Sequence, residues 1–234
     1  MKLKISAIVG AAFLLLGASR ASASSFTLNQ SNCCGSGPFG SVSVTQFAPN
    51  IVDVLVSLNP GNGFIDTGSG QHPDFAWSLT GNPALALGGN VTIVDDGAGG
   101  NWVWSLGGSV TTSDNLGTFM YFLSCSGTAV SPQIRCGNGA SNPNPGPLEF
   151  RINVSGITPD WFTLSANSDP NGIQALFAAD IINGQAGGNG QTGLVWTQGG
   201  GVEQFQATPE PATMLLLGTG LLVVAARARR RRRL

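Results

Sequence analysis

Ser41-Val42-Ser43-Val44-Thr45-Gln46-Phe47, followed closely by Ile51-Val52-Asp53-Val54-Leu55-Val56-Ser57-Leu58, decides the fold class. Both segments alternate with a period of two, and in the second Val52, Val54, Val56 and Leu58 share one side. A strand turns successive side chains to opposite faces, so each segment predicts a strand with one dry face. The same signal recurs in Phe75-Ala76-Trp77-Ser78-Leu79, Val91-Thr92-Ile93 and Trp102-Val103-Trp104-Ser105-Leu106. Further candidates are 118–125, 149–156, 161–166 and 193–197. Asp95-Asp96-Gly97 and the glycines after it read as the hairpin connection between the strands at 91–93 and 102–106. The stretch Ile173 to Ile182, bounded by Gly172 and Gly184, fits a short helix or an edge strand equally well.

About ten short strands divided by Asn, Gly and Pro turns predict an all-β domain: an antiparallel β-sandwich, jelly-roll-like or immunoglobulin-like. Composition agrees. Of 234 residues, 34 are Gly and 13 Pro, and only 10% are charged. Turn formers are in excess, while the 42% hydrophobic share supplies a real core and excludes a charged disordered chain. Asn59-Pro60-Gly61-Asn62-Gly63 and the run 137–147, with Pro143, Pro145 and Pro147, interrupt any ladder. Neither is a long linker, so residues 24–207 are expected to form one domain.

The two ends have other purposes. Lys2 and Lys4 precede an apolar run from Ile5 to Gly17, and Ala21-Ser22-Ala23 supplies small residues for a signal peptidase. Residues 1–23 therefore read as a signal peptide and its helix, with Ser24 as the new N-terminus. At the other end, Pro209-Glu210-Pro211 precedes an uncharged stretch, 212–226, and then Arg227, Arg229, Arg230, Arg231, Arg232 and Arg233. As a helix 212–226 spans about 22 Å, short against a hydrocarbon core of about 30 Å, a gap that arginine snorkelling and local thinning close. The arginines hold this end of a transmembrane helix in the cytoplasm, and everything upstream faces outward.

Between Ser24 and Thr208 the only basic residues are Arg135 and Arg151, against eleven acids. The near-neutral total hides this imbalance. A negative domain argues against nucleic acid or an anionic membrane surface as partner and leaves a neutral glycan, a cationic partner or a metal ion. All four cysteines, Cys33, Cys34, Cys125 and Cys136, lie in the exported part, where an oxidising compartment favours disulfides. Two pairings are practical. Cys33 and Cys34 each reach one of Cys125 and Cys136, the favoured reading, or Cys125 pairs with Cys136 and the vicinal pair is left strained or free.

Catalytic chemistry finds little here. His72 is the one histidine, and with Pro73 and Asp74 it reads as an exposed turn. No Gly-x-Ser-x-Gly frame accompanies it, and the glutamates Glu149 and Glu203 read as solvated edge residues rather than a glycosidase pair. The expectation is a protein that is not an enzyme and has no cofactor. Adjacent ligands and an exported location suit a zinc site of the four thiolates poorly. Calcium is the metal that loop carboxylates could surround, with Asp66 and Asp74 in turn-rich segments and Asp95 and Asp96 the first pair to suspect, although Asp95-Asp96-Gly97 is more simply a turn. Trp77, Trp102 and Trp104 are expected in the core, whereas Trp161 and Trp196 are less constrained, and an exposed one would offer a sugar platform.

Pro209-Glu210-Pro211, a short apolar helix and an arginine cluster, in that order, resemble the sorting signal of PEP-CTERM proteins. Such proteins are exported by bacteria rich in secreted polysaccharide and passed to a membrane transpeptidase, exosortase. The resemblance covers 208–234 and departs from the commonest form at Thr208, where Val is frequent. It implies that Pro209, Glu210 and Pro211 are the recognition motif, and that the helix and arginines retain a precursor in the inner membrane until processing. It implies a surface or extracellular destination, often in biofilms, with extracellular polysaccharide a candidate partner. The expected function is thus a noncatalytic cell-surface or matrix protein, with a carbohydrate- or calcium-binding adhesion module as the alternative.

Overall fold

The computed structural model describes residues 23–65, 71–97, 103–112, 115–125, 143–166, 172–184 and 190–198. They belong to one compact unit, Ala23–Gln206. The chain is all-β: β1 (Ala23–Ser31), β2 (Gly40–Ala48), β3 (Ile51–Leu58), β4 (Gly63–Phe64), β5 (Phe75–Trp77), β6 (Val91–Asp95), β7 (Trp104–Gly107), β8 (Val110–Thr111), β9 (Thr118–Phe119), β10 (Tyr121–Cys125), β11 (Leu148–Asn153), β12 (Phe177–Asn183) and β13 (Gln191–Thr197). The expected signal and transmembrane helices, 1–23 and 212–226, fall on positions outside the described residues apart from Ala23. No helix among the described residues is long and apolar enough to cross a membrane.

The strands are not divided between the two facing sheets of a sandwich. They make one eleven-stranded sheet in the order β6-β11-β3-β2-β1-β13-β12-β5-β10-β7, with β4 joined to β12, and a two-stranded ribbon of β8 and β9. Every pairing is antiparallel. The predicted hairpin across 95–97 is corrected: β6 pairs with β11 and β7 with β10, so these consecutive strands lie at opposite ends of the sheet. Flat, ten strands at about 4.8 Å would separate those ends by about 43 Å. The chain from Asp95 to Trp104 reaches about 32 Å at most. The sheet therefore has to curl, and it packs against itself.

The inner face of the curl is the main core. Val42 and Val44 of β2, Val52, Val54 and Val56 of β3, and Leu148, Phe150 and Ile152 of β11 join Phe75 and Trp77 of β5 and Phe177, Ala179 and Ile181 of β12. The Phe150 ring centroid is 4.9 Å from Trp77 and 5.9 Å from Phe75, across strands six places apart in the sheet. A second, smaller core lies on the other face: Ala76, Ala178, Leu194 and Trp196 are covered by Val110, Leu116 and Phe119. Both faces of β12 are thus buried, which settles the open reading of 173–182: from Phe177 it is an interior strand, between β13 and β5. The strand expected at 161–166 is instead the end of a 3-10 turn over Pro159–Trp161, followed by single bridges from Phe162 to Leu79 and from Ala166 to Thr118.

Candidate functional site

Four places in the domain gather polar or reactive groups. The first corrects the reading of His72 and Asp74 as an exposed turn. Asp74, immediately before β5, is 1% exposed, and Asp180 within β12 is fully buried. The His72 side chain is 20% exposed, and its Nδ1 stands 3.8 Å from Asp180 Oδ1, an ion-pair distance and too long for a hydrogen bond. Asp180 is anchored through its backbone, its N–H donating to Pro73 O and its carbonyl accepting from Ile65 N, each at 3.2 Å. Strand alternation explains the burial: Asp180 follows Ala178 onto the outer face of β12, the side that the second core covers. The sequence hides this because a polar residue in a two-sided strand looks the same as one facing water.

The second place is on the outer face of β3 and β11. Arg151 is opposite Asp53 in the register, and its Nε donates to Asp53 Oδ1 at 2.9 Å, while its Nη2 lies 3.9 Å from Glu149 Oε1. Glu149 is opposite Asp95 on the other side. Partial burial, reinforced by the negative charges of Asp53 and Asp95, holds the Glu149 carboxyl above the usual range, against the opposing pull of Arg151. The guanidinium also lies 3.7 Å over the ring of Phe47. Phe47 is 56% exposed because the register slips between Gln46 and Ala48, leaving it without a partner at a bulge. Glu149 is therefore a member of a charge cluster rather than an isolated edge residue. Glu203 lies outside the described residues.

Asp95 and Asp96, the suspected calcium pair, build a turn. Asp95 Oδ1 accepts from Gly97 N at 2.8 Å, and the backbone carbonyl of Asp96 accepts from Asn144 Nδ2. Gly97 packs so closely on Asn144 and Gly146 that a side chain there would collide with both. Among the described residues no group of three His, Cys, Asp or Glu side chains converges as a metal site. Asp66 lies outside them.

The third place is the vicinal pair. Cys33 and Cys34 are bonded to each other, which corrects the favoured pairing with Cys125 and Cys136. The turn Ser31–Gly35 doubles back on itself, so neighbouring sulfurs meet locally instead of reaching across the domain. Ser31 Oγ accepts from Cys34 N at 3.0 Å and donates to Gly35 O at 3.1 Å, and Asn183 Nδ2 donates to Cys34 O at 3.1 Å. The Cys125 side chain and Cys136 lie outside the described residues.

The fourth is a groove of about 510 Å³ beside the β7 edge, lined among others by Asn82, Leu85, Leu106, Ser109, Met120 and Tyr121. No charged group lines it. The Tyr121 hydroxyl lies 2.8 Å from Asn82 Oδ1 and 2.5 Å from Pro83 O, and having one proton it donates to one of them only. Its burial raises the phenol above its ordinary range, so the group is neutral. Of the tryptophans, Trp77, Trp104 and Trp196 are buried and Trp161 packs against the core. Trp102 is outside the described residues, so the exposed aromatic in view is Phe47, which sequence reading took only as the end of a strand.

Geometry therefore defines an all-β module with a curled sheet and scattered polar clusters. Residues 207–232 match the PEP-CTERM protein-sorting motif. The chain carries that motif at its C-terminus, which makes it an exosortase-targeted, exported protein that passes through a membrane-anchored precursor to the cell surface. Pro209, Glu210, Pro211 and the arginines Arg227 and Arg229 to Arg233 lie outside the described residues. No match was found among curated proteins or among solved structures.

Proposed function

We propose that this is a noncatalytic component of the cell surface or extracellular matrix, with residues 24–207 as the delivered module and 208–234 as its removable address. The observation that carries the reading is the sorting motif at 207–232 directly behind a compact all-β unit that ends at Gln206. A signal peptidase removes the first segment, and an exosortase-type transpeptidase acts at Pro209-Glu210-Pro211. Cleavage after Ala23 would cut the first bond of β1, where Ser24 pairs with Val44 of β2. That cut therefore precedes folding of the module. Replacing Glu210 by Ala tests the address: export persists, C-terminal processing stops, and the precursor stays in the inner membrane. Normal processing of the variant contradicts the role of Glu210.

A second reading, an adhesion module for a neutral saccharide, is favoured by the uncharged groove at Asn82 and Tyr121, whose amide and hydroxyl groups lie beside the apolar surfaces of Leu106 and Met120. Binding of neutral oligosaccharides that is lost in Asn82→Trp, which fills the groove, supports it. Equal binding by that variant contradicts it.

A further inference from the structure

We propose that the Cys33–Cys34 disulfide is a thiol-exchange site that accepts small soluble thiols at Cys33 and releases Cys34. The two residues differ in access. Cys34 is 7% exposed, while Cys33 is only partly buried at the edge of the core. Exchange requires a thiolate to reach the sulfur it attacks, so access directs it to Cys33 Sγ.

The surroundings of Cys34 suit the reduced state. Its Sγ lies 3.5 Å from the carbonyl oxygen of Gln191, within the range for a sulfur donor. A disulfide sulfur carries no proton and cannot donate across that distance, whereas a thiol can. The carbonyl thus becomes a hydrogen-bond acceptor for Cys34 only when the S–S bond opens. The backbone of Cys34 is held independently of the sulfurs, its N–H by Ser31 Oγ and its carbonyl by Asn183 Nδ2. Opening the bond therefore leaves the turn in place.

The seat of Cys33 is built for a close fit. A side chain at Gly193 would come within 2.8 Å of Cys33 Cβ and 2.6 Å of Asn32 Oδ1. Glycine at this position in β13 lets the turn lie directly on the strand, with Cys33 Sγ itself 3.1 Å from where a Gly193 side chain would begin, so this flank of Cys33 is held against β13.

The step balances simply. An external thiolate bonds to Cys33 Sγ as the Cys33–Cys34 bond breaks. The electron pair goes to Cys34 Sγ, which takes a proton from water, and a mixed disulfide remains on Cys33. A second thiol then displaces Cys33 and leaves with the first as their disulfide, so two thiols are oxidised while the pair is reduced.

The test uses the full processed protein, folded, exposed briefly to 2-mercaptoethanol and quenched with iodoacetamide before peptide mapping. The expected product carries the mercaptoethanol adduct on Cys33 and the alkyl group on Cys34, in excess over the reverse arrangement as access dictates. Circular dichroism unchanged through the exposure shows that the reaction occurs in the folded state. An adduct on Cys34, equal adducts on both, or no reaction until the protein is unfolded overturns the proposal. So does an untreated protein in which Cys33 or Cys34 is linked to Cys125 or Cys136.

Discussion

Phe150 and Trp77 touch only because the sheet curls, and this makes them the sharpest test of the architecture. Six strand spacings separate β11 from β5 in the sheet order, about 29 Å if the sheet were flat, whereas the ring centroids are 4.9 Å apart. Both side chains are fully buried. Replacing either by Leu shrinks the ring volume without introducing a polar group, and each change is expected to cost about 1–3 kcal/mol. Tilted aromatic pairs contribute about 0.5–1.5 kcal/mol beyond their burial, so the double variant should be less destabilised than the sum of the singles by that amount. Urea unfolding of the processed protein and its three variants, with a common slope, gives the coupling directly. Additivity within about 0.3 kcal/mol would mean that the rings do not meet and that β11 does not face β5.

Other positions give separate tests. Gly40 opens β2 where an added Cβ would collide with the Ser57 carbonyl oxygen and come within 3.0 Å of Leu58 Cα of β3, leaving no space for a methyl group. Gly40→Ala should therefore lower the urea midpoint by the equivalent of about 1–3 kcal/mol, and an unchanged midpoint contradicts that register. Glu149 has a raised carboxyl pKa, so the folded state holds its proton more tightly than the unfolded chain does. Its contribution is most favourable below the ordinary carboxylate pKa of 4.5 and is lost as pH rises through the raised folded value. As pH rises above 4.5 and through the raised folded value, the wild-type protein should lose more stability than Glu149→Gln; parallel profiles contradict the effect of burial and of the neighbouring Asp53 and Asp95 charges on this carboxyl. Deleting Arg229 to Arg233 should weaken retention and orientation of the precursor, read by membrane fractionation and protease accessibility. Unchanged topology contradicts that role for the arginines.

Legibility in the sequence followed how many faces of a strand are wet. β2 and β3 have one buried face, in burial patterns that alternate residue by residue, and period two reveals both. β12 is buried on both faces through Phe177-Ala178-Ala179-Asp180-Ile181-Ile182, so alternation vanishes and helix and strand become indistinguishable. β1 alternates through Ser25, Phe26, Thr27 and Leu28, but it begins where the export signal ends, and the small residues there read as a cleavage site. Pairing partners were the harder part. Asp95-Asp96-Gly97 has the composition of a hairpin turn, yet long-range contacts with β11 and β10 placed β6 and β7 at opposite ends of the sheet. Local chemistry specifies a turn; it does not specify which strand lies beyond it.

The polar clusters obey the same limit. The Asp53 and Arg151 pair and the approach of His72 to Asp180 join positions 98 and 108 residues apart, set by sheet order alone. Cys33 and Cys34, adjacent in sequence, were expected to look outward for partners because a vicinal bond needs a special backbone. Ser31 and Gly35 supply that backbone through a turn clamped by one hydroxyl. The sorting signal, by contrast, is read as linear sequence, and residues alone were enough to find it.

Intact mass and terminal peptide mapping of the protein recovered from the native cell surface and medium test the central claim most directly. The account predicts a chain that begins near Ser24, ends close to Pro209 and lacks the arginine tail. A mature protein that keeps 212–226 and all six arginines would contradict processing at the sorting motif and leave a conventionally anchored outward-facing domain.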